Sequence, residues 1–190
     1  AAVPVTDRDT ALFYLLRCPA DLGRRLGYTL LTDELHGRWM QDMLLTDEDM
    51  TLQAHRGSYK TTCLCIVLAT LMIVFPDKTI MFLRKTDADV VEVIRQVSRI
   101  LSDETFCALA KAVHGRSVTV ERSTATEITT SVYAAPRGAV QLLGIGLGGS
   151  LTGKHADVIV TDDIINIKDR VSEAERENTK RIYMELQNIR

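Results

Sequence analysis

The chain has 190 residues, enough for one α/β domain with a substantial core. Hydrophobic residues make up 46% and charged residues 25%, which excludes a disordered or fibrous chain. Lys plus Arg number 23 against 25 Asp plus Glu, for a net charge of −2, so any nucleic-acid contact needs a local basic patch rather than a global field.

Residues 7–45 carry apolar side chains at helical spacing, Leu12, Leu15 and Leu16 first, then Leu35, Trp39 and Met43, with Pro19 and Gly23 separating two pieces. Met50–Ala54 alternates weakly and predicts a short strand; His55–Tyr59 is a polar, glycine-containing loop. Lys60–Val74 predicts a buried helix. The apolar run from Cys63 to Phe75 is shorter than the ~20 residues that span a bilayer, and Pro76 closes it. Thr79–Leu83 predicts a strand, and Thr86-Asp87-Ala88-Asp89 a helix start, with Val90, Ile94, Val97 and Leu101 on one face. Residues 117–143 are rich in Val, Thr and Ile, with a turn at Pro136-Arg137-Gly138, and predict two or three strands including a hairpin. Asp157–Thr161 is a further apolar strand; Ser172-Glu173-Ala174-Glu175 caps a helix running towards Arg190. Strands alternating with helices predict an α/β fold with a mainly parallel sheet flanked by helices, preceded by a helical segment over 1–33.

The four cysteines, Cys18, Cys63, Cys65 and Cys107, form no disulfide framework. With no secretory signal read at the N-terminus, reduced thiols in a cytosolic setting are expected. His36, His55, His114 and His155 lack metal-ligand spacing.

Chemistry concentrates in two segments. Ala54-His55-Arg56-Gly57-Ser58-Tyr59-Lys60-Thr61-Thr62 joins the first expected strand to the buried helix. A phosphate-binding loop needs inward amides, a helix N-terminus, a Lys for the β- and γ-phosphates and a hydroxyl for Mg²⁺. Lys60 and Thr61 supply the last two. Ala54 and Tyr59 stand where glycines are usual, and Gly57 is the flexible point. The bland alternative is a strand–turn–helix with an ordinary first-turn Lys. The second segment, Val158-Ile159-Val160-Thr161-Asp162-Asp163, ends a strand in two carboxylates. Asp162 there suits a Mg²⁺ shell, and Asp163 suits orienting or deprotonating a water; capping a turn is the alternative. Together the segments predict a nucleoside-triphosphatase site. Gly144-Ile145-Gly146-Leu147-Gly148-Gly149 mimics a dinucleotide fingerprint, but no helix is expected to open there.

The combination resembles the ATPase domain of large terminase subunits, the DNA-packaging motors of tailed bacteriophages. Arg38–Leu44 is similar to the family's adenine-binding Q motif, and Arg56–Thr62 to its deviant Walker A. Gly149–Asp157 resembles the stretch before its Walker B, and Val158–Asp163 the Walker B. The chain departs from the family pattern at Tyr59, usually Gly, and at Asp163, often Glu. The resemblance covers residues 34–190 and implies a RecA-like P-loop NTPase fold. It gives Gln41 and Arg38 to adenine, Arg56 to the γ-phosphate with a catalytic part, Gly57, Ser58, Tyr59, Lys60, Thr61 and Thr62 to the phosphates, Thr61 and Asp162 to Mg²⁺, and Asp163 to the attacking water. Lys154 and Arg137 are candidates for a cation acting on a neighbouring subunit. It further implies ATP as substrate, double-stranded DNA, a portal protein and a small terminase subunit as partners, a homo-oligomeric ring, no membrane, and the host cytoplasm. A helicase-like or repair ATPase, or a non-catalytic domain with a degenerate loop, are the rival readings. The family's coupling strand and nuclease domain are not read here: Asp169, Glu173, Glu175, Glu177 and Glu185 follow a helix rather than separate strands. The chain is therefore expected to be part of a larger protein and not to cleave DNA.

Overall fold

The computed structural model describes residues 7–135, 138–151, 153–165, 169, 171–186 and 189. Pro136, Arg137, Thr152 and Arg190, which the sequence reading used, lie outside them.

Residues 8–45 are largely helical. Asp7 caps α1 (Arg8–Arg17) by accepting the Thr10 N–H at 2.9 Å, and α2 (Pro19–Arg25) opens on a proline at its first position. Pro19 and Gly23 thus lie inside a helix rather than between two. A π-helical turn (Asp33–Gly37) runs directly into α3 (Arg38–Leu45). The next helix, α4 (Lys60–Val74), occupies the expected span and is apolar on every side. That composition demands burial all round: α1, α2 and α3 cover part of it, and α5 (Asp87–Leu101) and α6 (Glu104–His114) cover more. Its Cys63 and Cys65 thiols are pushed up to about 12 by burial, so these are packing side chains rather than reactive thiols.

β1 (Ile80–Arg84) shows the period-two alternation that divides the core. Ile80 and Phe82 join the large cluster under the helices, whereas Met81 and Leu83 join a second cluster with Ile145, Leu147, Ile182 and Leu186. The last two belong to α7 (Glu173–Leu186), whose start Ser172 caps by accepting the Glu175 N–H. The sheet is therefore covered on both faces.

The remaining strands are β2 (Val120–Ser123), β3 (Glu127–Thr130), β4 (Leu142–Gly146) and β5 (Val158–Thr161), in the order β2-β3-β4-β1-β5. The expected mainly parallel RecA-like P-loop sheet is not what forms. β1 pairs parallel with β4 and β5, but β3 pairs antiparallel with both β2 and β4, so the sheet is mixed. The cause is local. Between Val120 and Leu142 no helix intervenes among the described residues, so consecutive strands reverse through short connections. Thr124 pins the first reversal, its hydroxyl accepting the Glu127 N–H at 3.1 Å. Buried Gln141 pins the second by accepting the Thr130 N–H (3.1 Å) and hydroxyl (2.8 Å) while donating to Met72 O (2.7 Å) on α4.

A second expectation also fails. Met50–Ala54 forms no strand, so among the described strands β5 has β1 as its single neighbour. The glycine-rich stretch does not open a helix: Gly144 and Gly146 lie within β4.

Candidate functional site

Two elements that end on the same side of the sheet build the site. The first is the loop ahead of α4. The Ser58 N–H and hydroxyl both donate to His55 O (3.3 and 2.7 Å), closing a tight turn in which Gly57 adopts φ 83°. Tyr59 then takes a left-handed conformation, φ 58° and ψ 17°, and supplies no side-chain cap to the helix. Lys60 is the first residue of α4, and no acidic residue occupies that first turn. Fifteen helical residues with an uncapped, acid-free N-terminus present amides and a positive dipole end suited to an anion.

The second element is the end of β5. There the Asp162 N–H donates to Leu83 O at 2.9 Å, continuing the parallel ladder with β1. The Asp162 side chain is only 8% exposed and has three partners: the Thr61 hydroxyl donates to it at 2.9 Å, Arg84 lies at 3.2 Å and Lys60 at 3.6 Å. Asp163 turns outwards at φ 47° and is 54% exposed. It accepts a hydrogen bond from Lys60 Nζ and lies 3.5 Å from Arg84. The Lys60 hydrogen bond, helped by the charges of Lys60 and Arg84, outweighs desolvation and holds the Asp163 carboxyl below the usual carboxylate range. Burial opposes the charge on Lys60, but the hydrogen bond to Asp163 and the two carboxylate charges prevail, and the ammonium is held above its ordinary range.

Lys60, Thr61, Asp162 and Asp163, paired by the sequence reading, are thus brought together. Arg56, Gly57 and Tyr59 lie on the exposed loop beside them, Ser58 is buried and Thr62 half-buried. Among the described residues Arg56 makes no ion pair. Arg38 is exposed on α3. The Gln41 amide donates to Arg17 O at 2.7 Å, satisfying the C-terminal carbonyl of α1, so reading a base would require it to leave that bond. Lys154 is half-buried in the turn before β5, and Arg137 lies outside the described residues.

The sequence reading passed over Arg84. It ends β1, is 13% exposed and touches both carboxylates, while its buried Nε has no partner among the described residues. The strand end could be read as a place where ligands gather, but not which of Arg84 and Lys85 faces the carboxylates.

The donor set suits Mg²⁺. Among the described residues no group of three or more His, Cys, Asp or Glu side chains converges, and Mg²⁺ needs no such cage, since it keeps waters and takes one or two protein oxygens beside substrate phosphates. Thr61 and Asp162 are two such oxygens in contact.

No protein-family model matches the chain, and no curated protein shows significant sequence similarity to it. The likeness to large terminase subunits therefore rests on the motif residues quoted above. Among the described residues no helix is long and apolar enough to cross a membrane.

Proposed function

We propose that this chain binds and hydrolyses ATP, as the motor ATPase part of a large terminase subunit that drives double-stranded viral DNA into a procapsid. One observation carries the ATPase reading: Lys60 and Thr61, at the start of an uncapped helix, meet Asp162 and Asp163, more than a hundred residues away, at the strand end. Cation, hydroxyl, buried acid and exposed acid in one cluster are the parts that phosphoryl transfer to water requires.

The α4 N-terminus and Lys60 bind the β- and γ-phosphates. Thr61 and Asp162 would hold Mg²⁺, which when bound offsets charge on the phosphate oxygens. Asp163, more exposed than Asp162, orients the attacking water and accepts its proton. Arg84 fixes Asp162 and keeps the two adjacent carboxylates from repelling one another. Arg56 approaches the γ-phosphate from the loop. The DNA, the portal protein, the small terminase subunit, the ring and the host cytoplasm enter through the terminase resemblance.

The test is a MgATP titration and a phosphate-release assay on the parent chain and Lys60→Ala. Binding by the parent and no hydrolysis in the variant are expected. Unchanged hydrolysis in Lys60→Ala, or no nucleotide binding by the parent, overturns the reading.

A further inference from the structure

His36 is buried to 6% exposure in the π-helical turn, and nothing in the proposed chemistry uses it. Its two ring nitrogens face different partners. The Thr32 N–H points at Nδ1 at 3.0 Å, so Nδ1 carries the lone pair and accepts. In the neutral ring the proton then resides on Nε2, which donates to Ser58 O at 3.2 Å. The ring also meets Trp39 edge-on at 5.4 Å and Tyr59 at 6.2 Å.

We infer that His36 is a positioning residue for the phosphate loop: through Nε2–H it fixes the Ser58 carbonyl and with it the conformation of the Ser58-Tyr59-Lys60 backbone. This rests on the phosphate-loop reading above. Three observations converge. Among the described residues 55–59, the bond to His36 is the one side-chain hydrogen bond that leaves the loop; the others close it on His55 and Arg56. Among the described residues no strand precedes the loop to hold it. And Tyr59 is held left-handed, a conformation that costs a non-glycine residue energy and persists only where its surroundings impose it. Because the peptide is planar and trans, anchoring the Ser58 carbonyl towards His36 aims the Tyr59 N–H the opposite way. The π-helical turn helps to seat the ring: the Gly37 N–H reaches back five residues to Thr32 O at 2.9 Å, adding a residue to the turn just where His36 must face Ser58.

Two conservative variants separate this role from simple packing. In His36→Gln the amide N–H replaces the Nε2 donor to Ser58. In His36→Asn the amide oxygen replaces the Nδ1 acceptor for Thr32 but cannot reach Ser58. Each is compared with the parent chain by MgATP affinity, steady-state hydrolysis, thermal midpoint and amide hydrogen exchange. The Gln variant is expected to stay within about twofold of the parent, and the Asn variant to lose roughly fivefold to tenfold in MgATP affinity, the value of one buried hydrogen bond. KM should rise more than kcat falls, and faster exchange should be confined to residues 57–60. If Asn matches the parent, if Gln is as impaired as Asn, or if both lose thermal stability with exchange rising throughout, the inference is overturned. If the parent binds no MgATP, the nucleotide reading falls by itself. Exchange at 57–60, faster in Asn and not in Gln, then still shows His36 holding the loop, and equal exchange overturns that too.

Discussion

Arg84→Ala isolates the residue that ties the two carboxylates to the sheet. At the 3.2 Å separation of Arg84 and Asp162, Coulomb attraction at an effective dielectric of ~20 amounts to about 5 kcal/mol before desolvation is charged against it. Both groups are largely buried, and breaking such a pair by removing one partner costs about 3–5 kcal/mol, since the other charge stays behind. Here Asp162 keeps the Thr61 hydroxyl at 2.9 Å and Lys60 at 3.6 Å, so the lower end, about 3 kcal/mol, is the expected loss. Asp162→Asn removes the same interaction from the other side. Urea unfolding of the parent, both single variants and the double variant gives the coupling energy, expected at about 2 kcal/mol and favourable. A coupling below about 0.5 kcal/mol would place Arg84 as a surface cation with no grip on the site and refute the reasoning.

Asp163→Asn should flatten the acid limb of the stability–pH profile. The Asp163 carboxyl is held below its ordinary range by Lys60, so its contribution is present above the unfolded carboxyl value and lost as pH falls through the lower folded value, in the window below about pH 4; parallel acid limbs for parent and variant would refute the pairing. Gly144→Ala should cost about 1–3 kcal/mol in chemical denaturation through overpacking, since its Cβ would run into Val90 Cγ1 and meet Ile94 Cγ1 at 3.2 Å where α5 crosses β4. Gln41→Leu should lose about 0.5–1.5 kcal/mol through its bond to Arg17 O and leave the ATP-to-GTP preference unchanged; a changed base preference with unchanged stability would return Gln41 to the adenine.

Elements whose ends are written in side-chain chemistry could be read from the sequence. Thr86 caps α5 by accepting the Asp89 N–H, Ser172 does the same for α7, and the apolar run closed by Pro76 marks α4. Helix α6 carried comparable signals, Asp103 accepting the Thr105 N–H and Gly115 closing it at φ 67°, yet went unread beside the apolar stripe ending at Leu101. Strand pairing was the harder matter. Met50–Ala54 has some strand pattern, but a strand needs a neighbour, and none pairs with it among the described strands. The joining of the hairpin to the parallel strands is non-local: β4 pairs with both β3 and β1, and Gln141 just before it bonds both Thr130 and Met72, which no window of sequence displays.

The site divides in the same way. Lys60-Thr61 and Asp162-Asp163 were legible because each pair sits at a helix start or strand end where its residue types have a chemical use. Arg84 was not, because its role depends on register. β1 and β5 run parallel with Leu83 opposite Thr161, so the next residue on each strand, Arg84 and Asp162, meets its counterpart across the sheet end. A slip of one residue would exchange faces, and the chain shows what occupies the other one. Lys85 points away from the site to buried Asp169 at 2.8 Å and to Thr179 of α7 at 3.0 Å. Consecutive cations at one strand end thus serve opposite faces, Arg84 holding the carboxylates and Lys85 holding the helix that covers the second core. Neither assignment follows from two adjacent basic residues until the pairing of β1 with β5 fixes which side each one faces.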